Sequence, residues 1–489
     1  MPRIAYLSYS TAEFDARTRR MARTALKAGF DVTVYARWKE GLPLEEERSG
    51  YRLVRVPTVS ILAIPWLRSR GERELAALRR RIDRDAARPT VSPEAVGPTP
   101  RAAHEAGSMD NGTRRDRLRW VPSILRGTPA GRPIRASKPH LRRLYRFIRR
   151  VAIRPLLIFP ITPLAWGVAL EDAAGPADIW HGMWAGSLPA LDRLRRRHGG
   201  RTIYDSRDVY MRSRGFERMR ILRMPLAWLE RRWARRVDTV LTVNDAYAGL
   251  LAKQFGIAPP PVVLNTPDRY TPPSPPPDLI RDALGLGQDV RVVLYQGGLF
   301  SDRGIEQGME AILQVEHAVF VLMGVGNVTP EISRLAAEER MRGRVSFVDP
   351  VPPEDLLDWT ASADVMLMAI QPTTVNHRFT TPQKLWEAIA AGVPVVATDL
   401  PGMAAVVRET GCGVLVDATD PTEIARGIRA IIDAPAEERR AMRERTWRAG
   451  QDRYNWEHET ETLLRLYREL LGQREPARPS PASASTSET

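Results

Sequence analysis

The chain has 489 residues, 43% hydrophobic and 27% charged, which is the balance of a globular protein too long for a single core. Its net charge of +15 is uneven: residues 1–300 hold 53 Lys and Arg against 29 Asp and Glu, and residues 301–489 hold 20 against 29. A single cysteine, Cys412, excludes an internal disulfide and a cysteine-based zinc site and suits a reducing compartment. The seven histidines are scattered, with no pair at metal-ligand spacing, so no metal is expected.

The first ten residues, MPRIAYLSYS, open at once as a strand and lack the charged head and apolar core of a signal peptide, so a cytoplasmic protein is expected. Ile4 to Tyr9, a helix from about Asp15 to Ala28 closed by Gly29, and Val32 to Tyr35 form a βαβ beginning, with Leu53 to Val56 as a further strand. From residue 86 to 140 the rhythm stops in a basic tract rich in Pro, Gly, Ser, Ala and Arg, read as a disordered insertion; residues 101–150 carry 14 basic residues against three acidic. Leu141 to Ile153 then sets Leu141, Leu144, Tyr145, Ile148, Val151 and Ala152 on one helix face with arginines opposite. It runs into an apolar stretch, Pro155 to Leu170, broken by three prolines and too short for the roughly 20 residues of a spanning helix. The pair suits either packing on its own domain or peripheral contact with an anionic membrane at its inner face.

Strands return at Asp178 to Trp180, Arg201 to Asp205, Thr239 to Val243 and Val262 to Leu264, and Pro272 to Pro277 reads as a stiff linker. A second α/β unit follows, with strands at Val292 to Tyr295, Val319 to Met323, Val345 to Val348, Val365 to Met368, Val395 to Ala397 and Val414 to Val416. The expected organisation is a Rossmann-like domain over 1–270, a second over 271–435, helices over 436–473 and a disordered tail over 474–489. Two such α/β units facing a cleft place ligands at the carboxyl ends of their strands.

The most informative stretch runs from Phe379 to Gly402. Thr381 suits an N-cap and Pro382 a first helical position, and Gly392 closes the helix before a β-branched strand. Lys384 is then a cation in the first turn, opposed to the helix dipole unless an anion lies between them; the alternative is a solvated lysine paired with Glu387. Gln296-Gly297-Gly298 after a strand and Arg303-Gly304 before a helix offer a close backbone approach and a bidentate cation, which with Lys384 makes a candidate diphosphate site. Gly324-Val325-Gly326 either admits a nucleotide or makes the turn. Glu387 is one helical turn from Lys384, and is either a salt-bridge partner or a carboxylate accepting from ribose hydroxyls.

FTTPQKLWEAIAAGVPVVATDLPG, YQGGLFSDRGIE, VSFVDPVPPEDLLDWTASADVMLM and, in the first half, HGMWAGSLPAL with IYDSRD together resemble family-4 glycosyltransferases of the GT-B fold, most closely the branch acting on cell-surface polysaccharides and glycoconjugates. The resemblance covers most of residues 1–450. It implies a retaining, metal-independent transfer of a hexose-type sugar from a nucleotide-diphosphate sugar to a hydroxyl acceptor, with no cofactor; the basic, apolar first domain makes a lipid-linked acceptor an alternative to a sugar. The donor then meets Gly297, Gly298, Arg303, Gly324, Lys384 and Glu387. Within that set it implies that Gly298 and Arg303 touch the diphosphate, Lys384 neutralises it and Glu387 takes the ribose. His181 matches a histidine near the transferred sugar, and Asp15 and Arg17 stand on the acceptor side; His181, Lys384 and Arg303 are the catalytic candidates. Retention implies a route in which the departing phosphate receives the acceptor proton.

The chain departs from the pattern at Phe379, where many relatives carry a glutamate, at Gly298, where others have arginine, and at Arg207-Asp208 in place of a frequent His-Glu. The rival readings are a catalytically inactive, membrane-associated scaffold and a sugar-nucleotide epimerase. The basic half lacks a nucleic-acid recognition motif, so no nucleic-acid partner is expected.

Overall fold

The structure is a computed structural model and describes residues 1–13, 15–86, 156–217, 219–275 and 277–473. The tract 86–140, apart from Ala86, the amphipathic segment Leu141 to Ile153 and the tail 474–489 lie outside the described residues.

Two sheets carry the fold. The first has seven strands in the order β3-β4-β2-β1-β5-β6-β7, comprising β1 (Arg3–Ser8), β2 (Asp31–Arg37), β3 (Glu45–Arg48), β4 (Tyr51–Val56), β5 (Ile179–Met183), β6 (Arg201–Ser206) and β7 (Thr239–Thr242). All pairings are parallel except β3 with β4. The sequence reading missed β3 because Glu45-Glu46-Glu47-Arg48 has neither apolar alternation nor a β-branched residue. It is an edge strand whose charges discourage pairing with another chain. Val262, expected in a strand, makes only an isolated bridge with Thr242.

The second sheet is wholly parallel, in the order β10-β9-β8-β11-β12-β13, formed by β8 (Arg291–Gln296), β9 (Ala318–Met323), β10 (Val345–Val348), β11 (Val365–Met368), β12 (Val395–Thr398) and β13 (Gly413–Val416). Its central strands are buried on both faces, which is why they read as unbroken runs such as AVFVLM. Strand order reverses beside β1, between β2 and β5, and beside β8, between β9 and β11. In open α/β sheets the ligand crevice lies beyond the carboxyl ends at such reversals. The loops after β8 and β11 therefore carry the expected donor residues, and those after β1, β5 and β6 face them.

Two segments find their place only in the assembled fold. The apolar stretch ending at Leu170 does not lie on the surface: Phe159, Ala165, Trp166, Ala169 and Leu170 are buried in the first domain, against the helix Leu188–His198. At the other end of the chain, the helix Trp456–Leu470 returns to the first domain instead of forming a separate unit. Tyr467 shares a hydrogen bond with Tyr6 at 2.9 Å, and Trp456 Nε1 donates to Thr24 Oγ1 at 2.8 Å. Among the described residues no helix is long and apolar enough to cross a membrane.

Candidate functional site

The loop from Gly297 to Gly304 leaves β8 and enters the helix Ile305–Ile312. Gly297 (φ +104°) lies against Lys384, whose Cε is 4.0 Å from where a Cβ would sit. Gly324 and Gly326 face this loop: Cβ atoms there would meet the carbonyl oxygens of Gly297 and Leu299 at 2.1 and 1.9 Å. The glycines after β9 thus let two loops pack back to back, and Gly324 turns its missing side chain toward protein backbone. Leu299 N donates to Val325 O at 3.1 Å across the same seam. At Gly298 a Cβ would strike the Phe300 ring at 2.2 Å.

Arg303 is held between two residues in the left-handed region, Asp302 (φ 69°) and Gly304 (φ 72°). Only glycine fits at 304, since a Cβ would lie 1.9 Å from Ala369 O. Asp302 is tied to Arg214 of the first domain at 2.8 Å, and its carbonyl accepts from Gln371 N at 3.0 Å. The backbone is thus fixed on both sides, while the Arg303 guanidinium makes no hydrogen bond or ion pair among the described residues. Its charge nevertheless acts on Lys384, Tyr295 and His377 of its own domain and on Asp208 of the other.

Lys384 stands in the first turn of the helix Gln383–Ala390. Pro382 is at the N-cap and no side chain caps the helix, so the expected Thr381 cap is replaced: Thr381 Oγ1 accepts from Asn244 Nδ2 of the first domain at 3.1 Å. The open helix end faces the site with its N–H groups. Lys384 Nζ sits 3.4 Å from the centre of the Tyr295 ring and makes no ion pair within 4 Å among the described residues. Burial presses its pKa well below the usual lysine range and the Arg303 charge adds to this, against the weaker pull of Glu387. Two cations therefore converge with no anion between them. The solvated Lys384–Glu387 salt bridge does not form. Glu387 is 7% exposed and accepts from Gln296 Nε2 at 2.5 Å, and Gln296 in turn accepts from Thr360 Oγ1 at 2.8 Å. Burial raises its pKa, opposed by Gln296, Arg20 and Lys384.

The first domain presents a different picture from the one its sequence suggests. Arg17 is 1% exposed and spends its donors internally: Nε on Asp205 Oδ2 at 2.8 Å, Nη2 on Asp205 Oδ1 at 3.4 Å, and Nη1 on the carbonyls of Val263 and Leu264 at 2.9 and 3.0 Å. It ties the helix to β6 and to the segment after β7, and its burial keeps it from an acceptor. Asp15 caps the helix Ala16–Lys27 through Thr18 N at 3.1 Å and takes Arg207 Nη1 at 2.8 Å. Burial opposes its ionisation, but Arg207 and Thr18 outweigh it and bring the pKa to about 2. His181 lies inside β5, not past its end, and is 0% exposed. Its Nδ1 meets Tyr467 OH at 2.9 Å and its Nε2 has no hydrogen-bond partner; burial lowers its pKa to about 4 against the attraction of Asp205. In this arrangement contact with a transferred sugar is closed to it. What does reach the cleft is the segment after β6: Arg207, over the Trp184 ring at 5.3 Å, and Asp208.

The segment Thr374–Thr381 joins the domains. Asn376 Oδ1 accepts from Val209 N at 3.0 Å and its carbonyl accepts from Tyr247 OH at 3.0 Å, while Phe379 packs on the first-domain core with its carbonyl held by Asn244 Nδ2 at 3.1 Å. Phe379 is thus an interdomain anchor. Asn244 could have been suspected from its N-cap position before Tyr247; nothing in the sequence pointed to Asn376.

Residues 290–434 match the family described as Glycosyl transferases group 1. The second domain is a group 1 glycosyltransferase domain. Among curated proteins, a D-inositol 3-phosphate glycosyltransferase of Xylanimonas cellulosilytica is 30% identical over 231 residues, which is 45% of this chain and 52% of that protein. A 2-deoxystreptamine glucosyltransferase of Streptomyces kanamyceticus is 26% identical over 263 residues, 51% of this chain and 65% of that protein. The chain spans about half the length of the first of these relatives. Among solved structures, sucrose-phosphate synthase from Thermosynechococcus elongatus superposes with a TM-score of 0.64 at 17% identity, covering 96% of this chain and all of that one. Anabaena HepE in complex with UDP-glucose superposes at 0.58 with 12% identity, covering 96% of this chain and 100% of that one. The glycosyltransferase domain and its partner thus form the two-domain, Rossmann-like GT-B fold.

Proposed function

We propose that the chain is a retaining, metal-independent glycosyltransferase that moves a hexose-type sugar from a nucleotide-diphosphate sugar to a hydroxyl acceptor in the synthesis of a cell-surface polysaccharide or glycoconjugate. The observation that carries this reading is the convergence of Arg303 and Lys384, two cations without an anionic partner, at the strand-order reversal of the glycosyltransferase domain. A diphosphate supplies the missing anion. As the bond between the sugar C1 and the phosphate oxygen breaks, charge accumulates on that oxygen, and the two cations and the uncapped helix start at Gln383 stabilise it in place of a divalent ion. The acceptor oxygen bonds to C1, and its proton passes to the departing phosphate. Glu387, held by Gln296, receives the ribose hydroxyls. No cofactor enters; the nucleotide sugar is a co-substrate.

UDP is the first nucleotide to test, since HepE was solved with UDP-glucose. The relatives' names suggest a cyclitol acceptor, phosphorylated or aminated. A lipid-linked acceptor and docking at the inner face of an anionic membrane through Leu141 to Ile153 belong to the same proposal, and flotation with anionic liposomes tests them. For the site itself, calorimetric binding of UDP is expected to weaken by roughly 10- to 100-fold in Lys384→Ala, the equivalent of one charge-assisted contact. Donor hydrolysis or transfer should be lost in the same variant. Nucleotide binding without turnover on any donor would leave the inactive-scaffold reading standing.

A further inference from the structure

On the first-domain side of the cleft Arg17 pairs with Asp205 and Arg207 with Asp15, while Arg20 donates to Asn265 Oδ1 at 2.7 Å and acts on Glu387. The carboxylate left without a partner there is Asp208. Its carboxylate makes no hydrogen bond or ion pair among the described residues, although its backbone is fixed on both sides: Ser206 Oγ donates to its carbonyl at 2.9 Å, and the next residue's N–H donates to Asn376 Oδ1 of the glycosyltransferase domain at 3.0 Å. Half-buried, it feels Arg303 across the cleft, then Arg207, and it acts in turn on Tyr247. Burial has pushed its pKa up to about 6 against those two arginines, so it is a carboxylate short of hydrogen-bond donors.

Asp208 follows β6 of the first domain, so if Arg303 of the second domain holds the diphosphate, Asp208 belongs to the acceptor's side of the cleft. An ionised carboxylate only accepts hydrogen bonds, so it matches hydroxyl or ammonium groups and repels phosphate. Arg37, stacked on Tyr9 at 4.8 Å, ends β2, three strands from β6 and roughly 14 Å away at ordinary strand spacing, too far to reverse the local sign. We propose that Asp208 selects the acceptor: it takes a hydrogen bond from a hydroxyl or ammonium group adjacent to the attacking oxygen, and it excludes an acceptor carrying phosphate there. This rests on the glycosyltransfer reading and chooses between the acceptor chemistries which that reading leaves open. The attacking hydroxyl keeps its own proton for the departing phosphate; Asp208 holds a neighbouring group.

The test uses the full chain saturated with UDP, titrated calorimetrically with 2-deoxystreptamine, myo-inositol and D-inositol 3-phosphate. The diamine or the neutral polyol is expected to bind at least tenfold tighter than the phosphate, and Asp208→Asn to lose at least tenfold for that ligand while binding UDP equally or more tightly. Thermal midpoints of Asp208→Asn and Asp208→Ala control for folding. Tighter binding of the phosphate, an Asp208→Asn variant that treats all three probes as the parent does, or no binding of any probe overturns the proposal. An unchanged UDP affinity in Lys384→Ala would instead overturn the donor-site reading beneath it.

Discussion

Replacing Arg17 by Ala separates a structural tie from an acceptor contact. The substitution strands the Asp205 carboxylate in a buried site and strips the carbonyls of Val263 and Leu264 of their donor. Breaking a buried ion pair from one side costs about 3–5 kcal/mol. Two groups offset part of this, since Arg207 Nε lies 3.7 Å and His181 Nε2 4.0 Å from the same Asp205 oxygen, which brings the expectation to the lower end. At roughly 2–4 °C per kcal/mol for a domain of this size, the thermal midpoint falls by about 6–12 °C. The pH dependence has a definite sign. His181 is held at about 4 by burial, with Arg17 and Arg207 opposing the pull of Asp205. Without Arg17 its folded pKa rises, and a raised pKa adds stability on the acid side that is lost as pH rises through it, so the deficit shrinks between pH 7 and 5. Scanning calorimetry at both pH values reads this directly. A midpoint within about 1 °C of the parent, together with weakened acceptor binding, would show that Arg17 is a ligand contact after all.

Lys384 should take up a proton when UDP binds. Its depressed pKa means that the charged form is lost as pH rises through that lowered value, and an anion restores it, so UDP affinity declines above it. Titrations over a series of alkaline pH values in buffers of different ionisation enthalpy should report uptake that grows as pH rises, absent in Lys384→Met; identical heats in all buffers at every pH would contradict this. Phe379→Ala removes a partly buried ring from the domain seam and should loosen closure by roughly 1–2 kcal/mol, less than a full core truncation. Small-angle scattering should record a larger radius and limited proteolysis should cut faster near residues 371–381, with UDP affinity little altered. An unchanged radius with lost UDP binding would return Phe379 to the donor site.

The architecture was largely legible because doubly covered strands write themselves as β-branched runs, AVFVLM and VVAT among them, and helices between them close on glycines such as Gly29 and Gly392. Local signals failed where tertiary context decided. The sequence left the apolar run after Pro155 open between packing on its own domain and membrane contact, and only the assembled fold shows its residues from Phe159 to Leu170 filling the first-domain core. Arg303 and Lys384 could be picked out because a cation beside a glycine turn or in a first helical turn is locally anomalous. Asp15 and Arg17 looked equally functional, and only their buried partners, nearly 200 residues away, reveal that they are already satisfied. Asp208 was visible as a departure from a pattern, but its want of a partner is a property of the assembled cleft.

The return of the helix Trp456–Leu470 to the first domain bears on how the protein is made. The hydroxyls of Tyr6 and Tyr467 meet 461 positions apart, and the same helix supplies the Glu459 carboxylate to Leu264 N at 2.7 Å. During synthesis the N-terminal sheet leaves the ribosome first, yet the face bearing Ile4, Tyr6 and Met21 stays open until almost the whole chain has emerged. A nascent chain therefore displays an uncovered apolar face for the time needed to translate the entire second domain, and the first domain completes its core only after the second has been made.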